Sequence, residues 1–150
     1  MGAAFFYHLT DSPLEATLPM LIGKARGAGW RILMRGNDAA LLKRLDEVLW
    51  QGPDDQFLPH GLAGGPHDAD QPVLLGNGPS DGFSCVMSVG GAEVSAEEVT
   101  ALERTCILFD GHDGAALEQA RGQWKTLTDA GCTAQYWAQE GGRWTKKAEK

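Results

Sequence analysis

Arg121, Trp124 and Lys125 lie within about one helical turn of each other in ARGQWKTLTDAG, the stretch from Ala120 to Gly131. Two cations beside an indole suit one kind of recognition chemistry. The cations donate charge-assisted hydrogen bonds to carboxylates while the ring edge packs an apolar side chain. Such a trio would receive a short acidic peptide with a hydrophobic end. The same residues also fit a plain amphipathic helix, with Leu117, Ala120, Trp124 and Leu127 as the buried stripe and the charges solvated. Residues 141–150 read as a basic C-terminal tail, from which Lys146 and Lys147 could reach the same site.

Other candidate chemistry is weaker. His60, His67, Asp68 and Asp70 in HGLAGGPHDAD could ligate a metal, but they sit on a glycine-rich loop with neither paired cysteines nor a helical H-x-x-x-H. The G-x-G of LLGNGPSDG follows a strand-like run, yet Pro79 comes directly after the second glycine and no amphipathic helix begins there, so a plain turn is expected. There is no P-loop signature and no G-x-S-x-G elbow. No cofactor and no catalytic residue is expected. The competing reading is a small α/β enzyme that uses the His60 to Asp70 loop with a metal or nucleotide.

The chain has 150 residues, a normal size for one domain over 1–150, with 43% hydrophobic and 22% charged residues. No run is long and apolar enough to span a membrane, and the first residues lack the basic region of a signal peptide, which favours the cytoplasm. Cys85, Cys106 and Cys132 are odd in number and lie in apolar segments, as buried thiols do. The net charge of -7 is unevenly placed: residues 1–120 carry 17 acids and 7 bases, while residues 121–150 carry 3 acids and 6 bases. An acidic body argues against direct nucleic-acid binding, which needs many phosphates neutralised.

The elements that would position these groups alternate. AAFFYHL (Ala3 to Leu9) reads as a strand, and LEATLPMLIGKARGAG as a helix that Pro19 would kink or shorten. WRILMRG reads as the second strand, and Asp38 to Trp50 as a helix capped by Asn37. Turn formers then fill about twenty residues too densely for a regular element. Strand-length runs follow at Pro72–Gly76, Phe83–Val89 and Arg104–Asp110, with a short helix at Ala96–Glu103. A helix ended by Gly131 and a last strand, CTAQYWAQ, complete the pattern. It predicts an α/β fold with a largely parallel sheet, helices on both faces and no nucleotide-binding loop. Trp50 and Phe57 flank the long loop, either sealing the core beneath it or anchoring a partner protein.

Several segments together, FYHL, KARGAGWRILMR, RLDEVLW, FLPHGLAG, QPVLL, ARGQWKTLTDAG and YWAQEGGRWTKKA, resemble the chi subunit family of bacterial DNA polymerase III, an accessory component of the clamp loader. The resemblance implies a Rossmann-like, noncatalytic protein, a monomer when isolated, that links the clamp loader to single-stranded DNA-binding protein. The family's A-R-x-x-[YW]-K pattern for holding the acidic C-terminal tail of that protein maps onto Arg121, Trp124 and Lys125, with Leu117 where another base is common. Its segments for binding the psi subunit map onto Trp50 and onto Phe57, Leu58, Pro59 and His60.

Overall fold

A computed structural model describes residues 2–10, 14–50, 60–62, 72–140 and 143–150. The strands are β1 (Ala3–Leu9), β2 (Ile32–Gly36), β3 (His60–Leu62), β4 (Val73–Gly76), β5 (Cys85–Val89), β6 (Arg104–Asp110), β7 (Thr133–Glu140) and β8 (Arg143–Glu149). The helices are α1 (Leu14–Gly27), α2 (Ala39–Trp50), α3 (Ala96–Ala101) and α4 (Gly114–Asp129). All eight strands form one sheet in the order β3-β4-β2-β5-β6-β1-β7-β8. Every pairing is parallel except the last, where β8 runs antiparallel to β7.

Both faces of the central strands are covered, and successive side chains therefore enter different cores. Tyr7, Leu9, Met34, Met87 and Leu108 pack with Leu18 and Ile22 of α1 and Leu45 of α2. Ala4, Phe6, Leu33, Val86 and Ile107 pack on the other face with Val99 of α3 and with Ala120 and Leu127 of α4. This explains why VLLG and CVMSV are unbroken buried runs rather than alternating ones. Burying each large aliphatic side chain contributes roughly 1.5–3 kcal/mol.

Pro19 lies inside α1 without ending it. The lost backbone bond falls near the first turns, and Leu18, Leu21, Ile22 and Ala25 hold the helix to the sheet. The cap of α2 is Asp38, not Asn37: the Asp38 carboxylate accepts from the Ala40 amide at 2.9 Å. Cys85 and Cys106 are buried, whereas Cys132 is only half-buried. The long connection contains a three-residue strand, β3, paired with β4 from His60↔Val73 to Leu62↔Leu75. The expected basic tail is also a strand over 143–149. The run RWTKKAE has no strict apolar–polar alternation to mark it as a strand, but the edge of β7 supplies the backbone partners that order it.

Candidate functional site

α4 is built to present one apolar stripe and one basic one. Asp113 caps it, its carboxylate accepting from the Ala115 amide at 3.0 Å and the Ala116 amide at 3.3 Å, and Gly131, at φ 88, turns the chain away after the last turn. Ala120 and Leu127 are buried, while Leu117 and Trp124 pack partly buried beside them. The expected stripe is therefore the contact face of this helix.

Trp124 wedges between the sheet and solvent. Its ring meets Phe6 edge-on with centroids 5.3 Å apart and Tyr136 edge-on at 6.0 Å. Behind it, the Tyr136 hydroxyl lies 2.9 Å from His8 Nδ1, and the His8 ring lies 5.2 Å from Phe109. Gly111 passes so close to His8 that a side chain at this position would collide with the ring. The floor beside α4 is thus aromatic, assembled from β1, β6 and β7.

Arg121 and Lys125 are exposed, one turn apart on this helix, and among the described residues neither has a carboxylate partner. The positive charge of Arg121 is felt by both rings of the floor. Burial pushes the His8 imidazole below its ordinary pKa, and Arg121 adds to that push. Burial raises the Tyr136 phenol, and Arg121 opposes the rise. The guanidinium, the indole and the His8–Tyr136 pair consequently share one surface.

The other residues singled out in the sequence lie elsewhere. Lys146 is in register with Trp137, whose ring joins the α1-side core, and its ammonium lies 3.3 Å from Glu149. Lys147 is ion-paired with Glu140. Trp50 closes α2 and His60 opens β3, while Phe57, Leu58 and Pro59 lie outside the described residues, as do His67, Asp68 and Asp70. Among the described residues, no three His, Cys, Asp or Glu side chains cluster as metal ligands, and no helix is long and apolar enough to cross a membrane.

A cleft of about 740 Å³ opens at the carboxyl ends of β1, β5 and β6, the place where α/β sheets commonly hold nucleotides. Several of its polar groups are turned toward the protein itself, although the Gln123 Nε2 beside them is buried without a partner. Asp113 occupies the amides at the start of α4, His112 Nε2 lies 2.9 Å from the Thr10 carbonyl, and Gln119 donates to the Gly91 carbonyl. The G-x-G turn after β4 leads to β5 rather than to a helix, and the Gly78 carbonyl accepts from Arg35 at 3.0 Å. Gly78 serves a structural contact.

One largely parallel sheet with helices on both faces, and a helix that carries two exposed cations over an aromatic floor, define a Rossmann-like α/β protein. The chain belongs to the family described as DNA polymerase III chi subunit, HolC, whose model matches residues 1–135. A comparison with curated proteins returns no match. Membership in this family makes the protein an accessory component in DNA replication.

Proposed function

We propose that the protein docks the acidic C-terminal tail of a single-stranded DNA-binding protein on α4 and so links that protein to the clamp loader. The observation that carries this reading is the pair of exposed, carboxylate-free cations, Arg121 and Lys125, beside the half-buried ring of Trp124. Their charge-assisted bonds to tail carboxylates contribute roughly 1.5–3 kcal/mol each when well formed, and a micromolar complex needs about 8 kcal/mol in total. An apolar tail end against Trp124 and Tyr136 supplies the remainder. Lys146 and Lys147, already paired with glutamates, add little. A psi contact, which the resemblance carries to Trp50 at the end of α2 and to Phe57, Leu58, Pro59 and His60, is the second part of this proposal.

Titration of a labelled acidic tail peptide tests the docking. The Arg121→Ala, Lys125→Ala double variant should bind at least tenfold more weakly, with most of the salt dependence gone. Equal affinity for the wild type and the variant would remove α4 from the reading.

A further inference from the structure

On the sheet face opposite α4, a cavity of about 490 Å³ lies between α1 and the strands β1, β6 and β7. Three of the five tryptophans of the chain, Trp30, Trp137 and Trp144, line it, all of them partly exposed. The Arg104 guanidinium sits 4.2 Å from the centre of the Phe5 ring and 5.1 Å from that of Trp30, stacked on aromatic faces rather than bound to an acid. Lys24 stands exposed at the rim beside Met20, which is 44% exposed. Neither Lys24 nor Arg104 has a carboxylate partner among the described residues.

We infer that this cavity is a binding site for one or two nucleotides of a single-stranded nucleic acid. Any base offers a π-face to an indole whatever its identity, and stacking platforms with nearby cations are the usual means of holding single strands without sequence preference. The size is that of a small-ligand pocket. A peptide fits the walls less well. Its amides need polar partners, yet the Trp137 N–H already donates to Gln135 Oε1 at 3.0 Å, the Tyr7 side chain is buried, and Cys85 and Cys106 are weak hydrogen-bonding groups. Base faces need no such partners, and the flanking phosphates meet Lys24 and Arg104.

The acidic body of the chain limits the footprint to what these two cations neutralise. Binding is weak for the isolated protein and becomes effective when tethering to a strand-coating protein raises the local concentration of single strand. Two phosphate contacts set the salt dependence: log K falls against log salt with a slope of about −1.4, a roughly sevenfold loss between about 50 and 200 mM.

The test is quenching of tryptophan emission by a short oligothymidylate, with anisotropy of the labelled strand as a second readout. The inference expects saturable quenching at low salt with that slope. Lys24→Gln, a change at an exposed position, should weaken binding and halve the slope to about −0.7. The Arg121→Ala, Lys125→Ala protein should bind the oligonucleotide like wild type while losing the acidic peptide. No saturable binding at low salt would overturn the site, as would Lys24→Gln behaving as wild type or oligonucleotide binding that vanishes with the α4 cations. If the acidic peptide instead bound in a Lys24-dependent manner and displaced the strand, the occupant would be a peptide and the inference would fall.

Discussion

Replacing Glu98 by glutamine should unlock the carboxyl edge of the sheet. The Glu98 carboxylate grips Arg35 with both oxygens, at 2.9 Å to Nη1 and 2.6 Å to Nη2, and the same guanidinium donates to the Glu93 and Gly78 carbonyls at 3.2 and 3.0 Å. One arginine thereby ties β2, α3 and the turn after β4 together. Arg35 is buried to 6% exposure, so removing its anion leaves a buried cation with only neutral acceptors. Breaking a fully buried pair costs about 3–5 kcal/mol. The Glu98 side chain is 23% exposed, glutamine keeps one acceptor, and solvent screens part of the charge, which brings the cost to about 2 kcal/mol. For a chain of this size that is a fall of about 4–8 °C in Tm. The pH dependence provides the decisive arm. The hydrogen bonds from Arg35 hold the Glu98 carboxyl at about 2, below its ordinary 4.5. A group depressed in the folded state adds stability that is complete above 4.5 and is lost as pH falls toward about 2. Thermal unfolding followed by circular dichroism should therefore show the gap between wild type and Glu98→Gln closing across that window. A variant as stable as wild type at neutral pH, or a gap unchanged at low pH, would refute the reasoning.

Three further outcomes follow from the α4 groove and the sheet edge. Trp124→Ala should lower stability by about 2–3 kcal/mol, less than a fully buried tryptophan because the ring is only partly covered, and should weaken the acidic peptide; Trp124→Phe should recover most of the Tm in the same melting assay. In an NMR titration, His8 should ionise below 6.5 and cost stability as pH falls beneath that value, because the unfolded chain takes the proton first; Arg121→Ala should move its midpoint upward by removing a neighbouring positive charge. A chain truncated after Glu140 loses the edge contact between Trp144 and Tyr7, 5.2 Å between ring centres, and bares the edge of β7, so it should melt lower and associate in light scattering. An unchanged melting temperature and unchanged scattering would show that β8 contributes nothing to the sheet.

Patterns set by nearest neighbours were legible in the chain. The apolar runs at β4, β5 and β6 were visible because strands buried on both faces need continuous Val, Leu, Ile and Cys, and the stripe of α4 was visible from its spacing. What depended on distant partners was not. The floor of the groove rests on a contact between His8 and Tyr136, 128 residues apart, and the grip of Glu98 on Arg35 spans 63. Neither residue type announces its partner. β3 and β8 are edge strands whose order comes from the neighbour they join rather than from their own composition. Asp38 took the cap expected of Asn37 because either side chain can do so, and one residue of register decides between them.

The place of β1 in the sheet bears on how the molecule is made. Its residues are made well before those of its neighbours, β6 and β7, with Phe6 in register with Ile107 on one side and Tyr136 on the other. An apolar strand thus waits until β6 is made for its first sheet partner, while β2, β4 and β5 can already join one another. Closure of the sheet is a late, long-range event, and nascent chains arrested before β6 should depend on chaperones far more than the finished protein does.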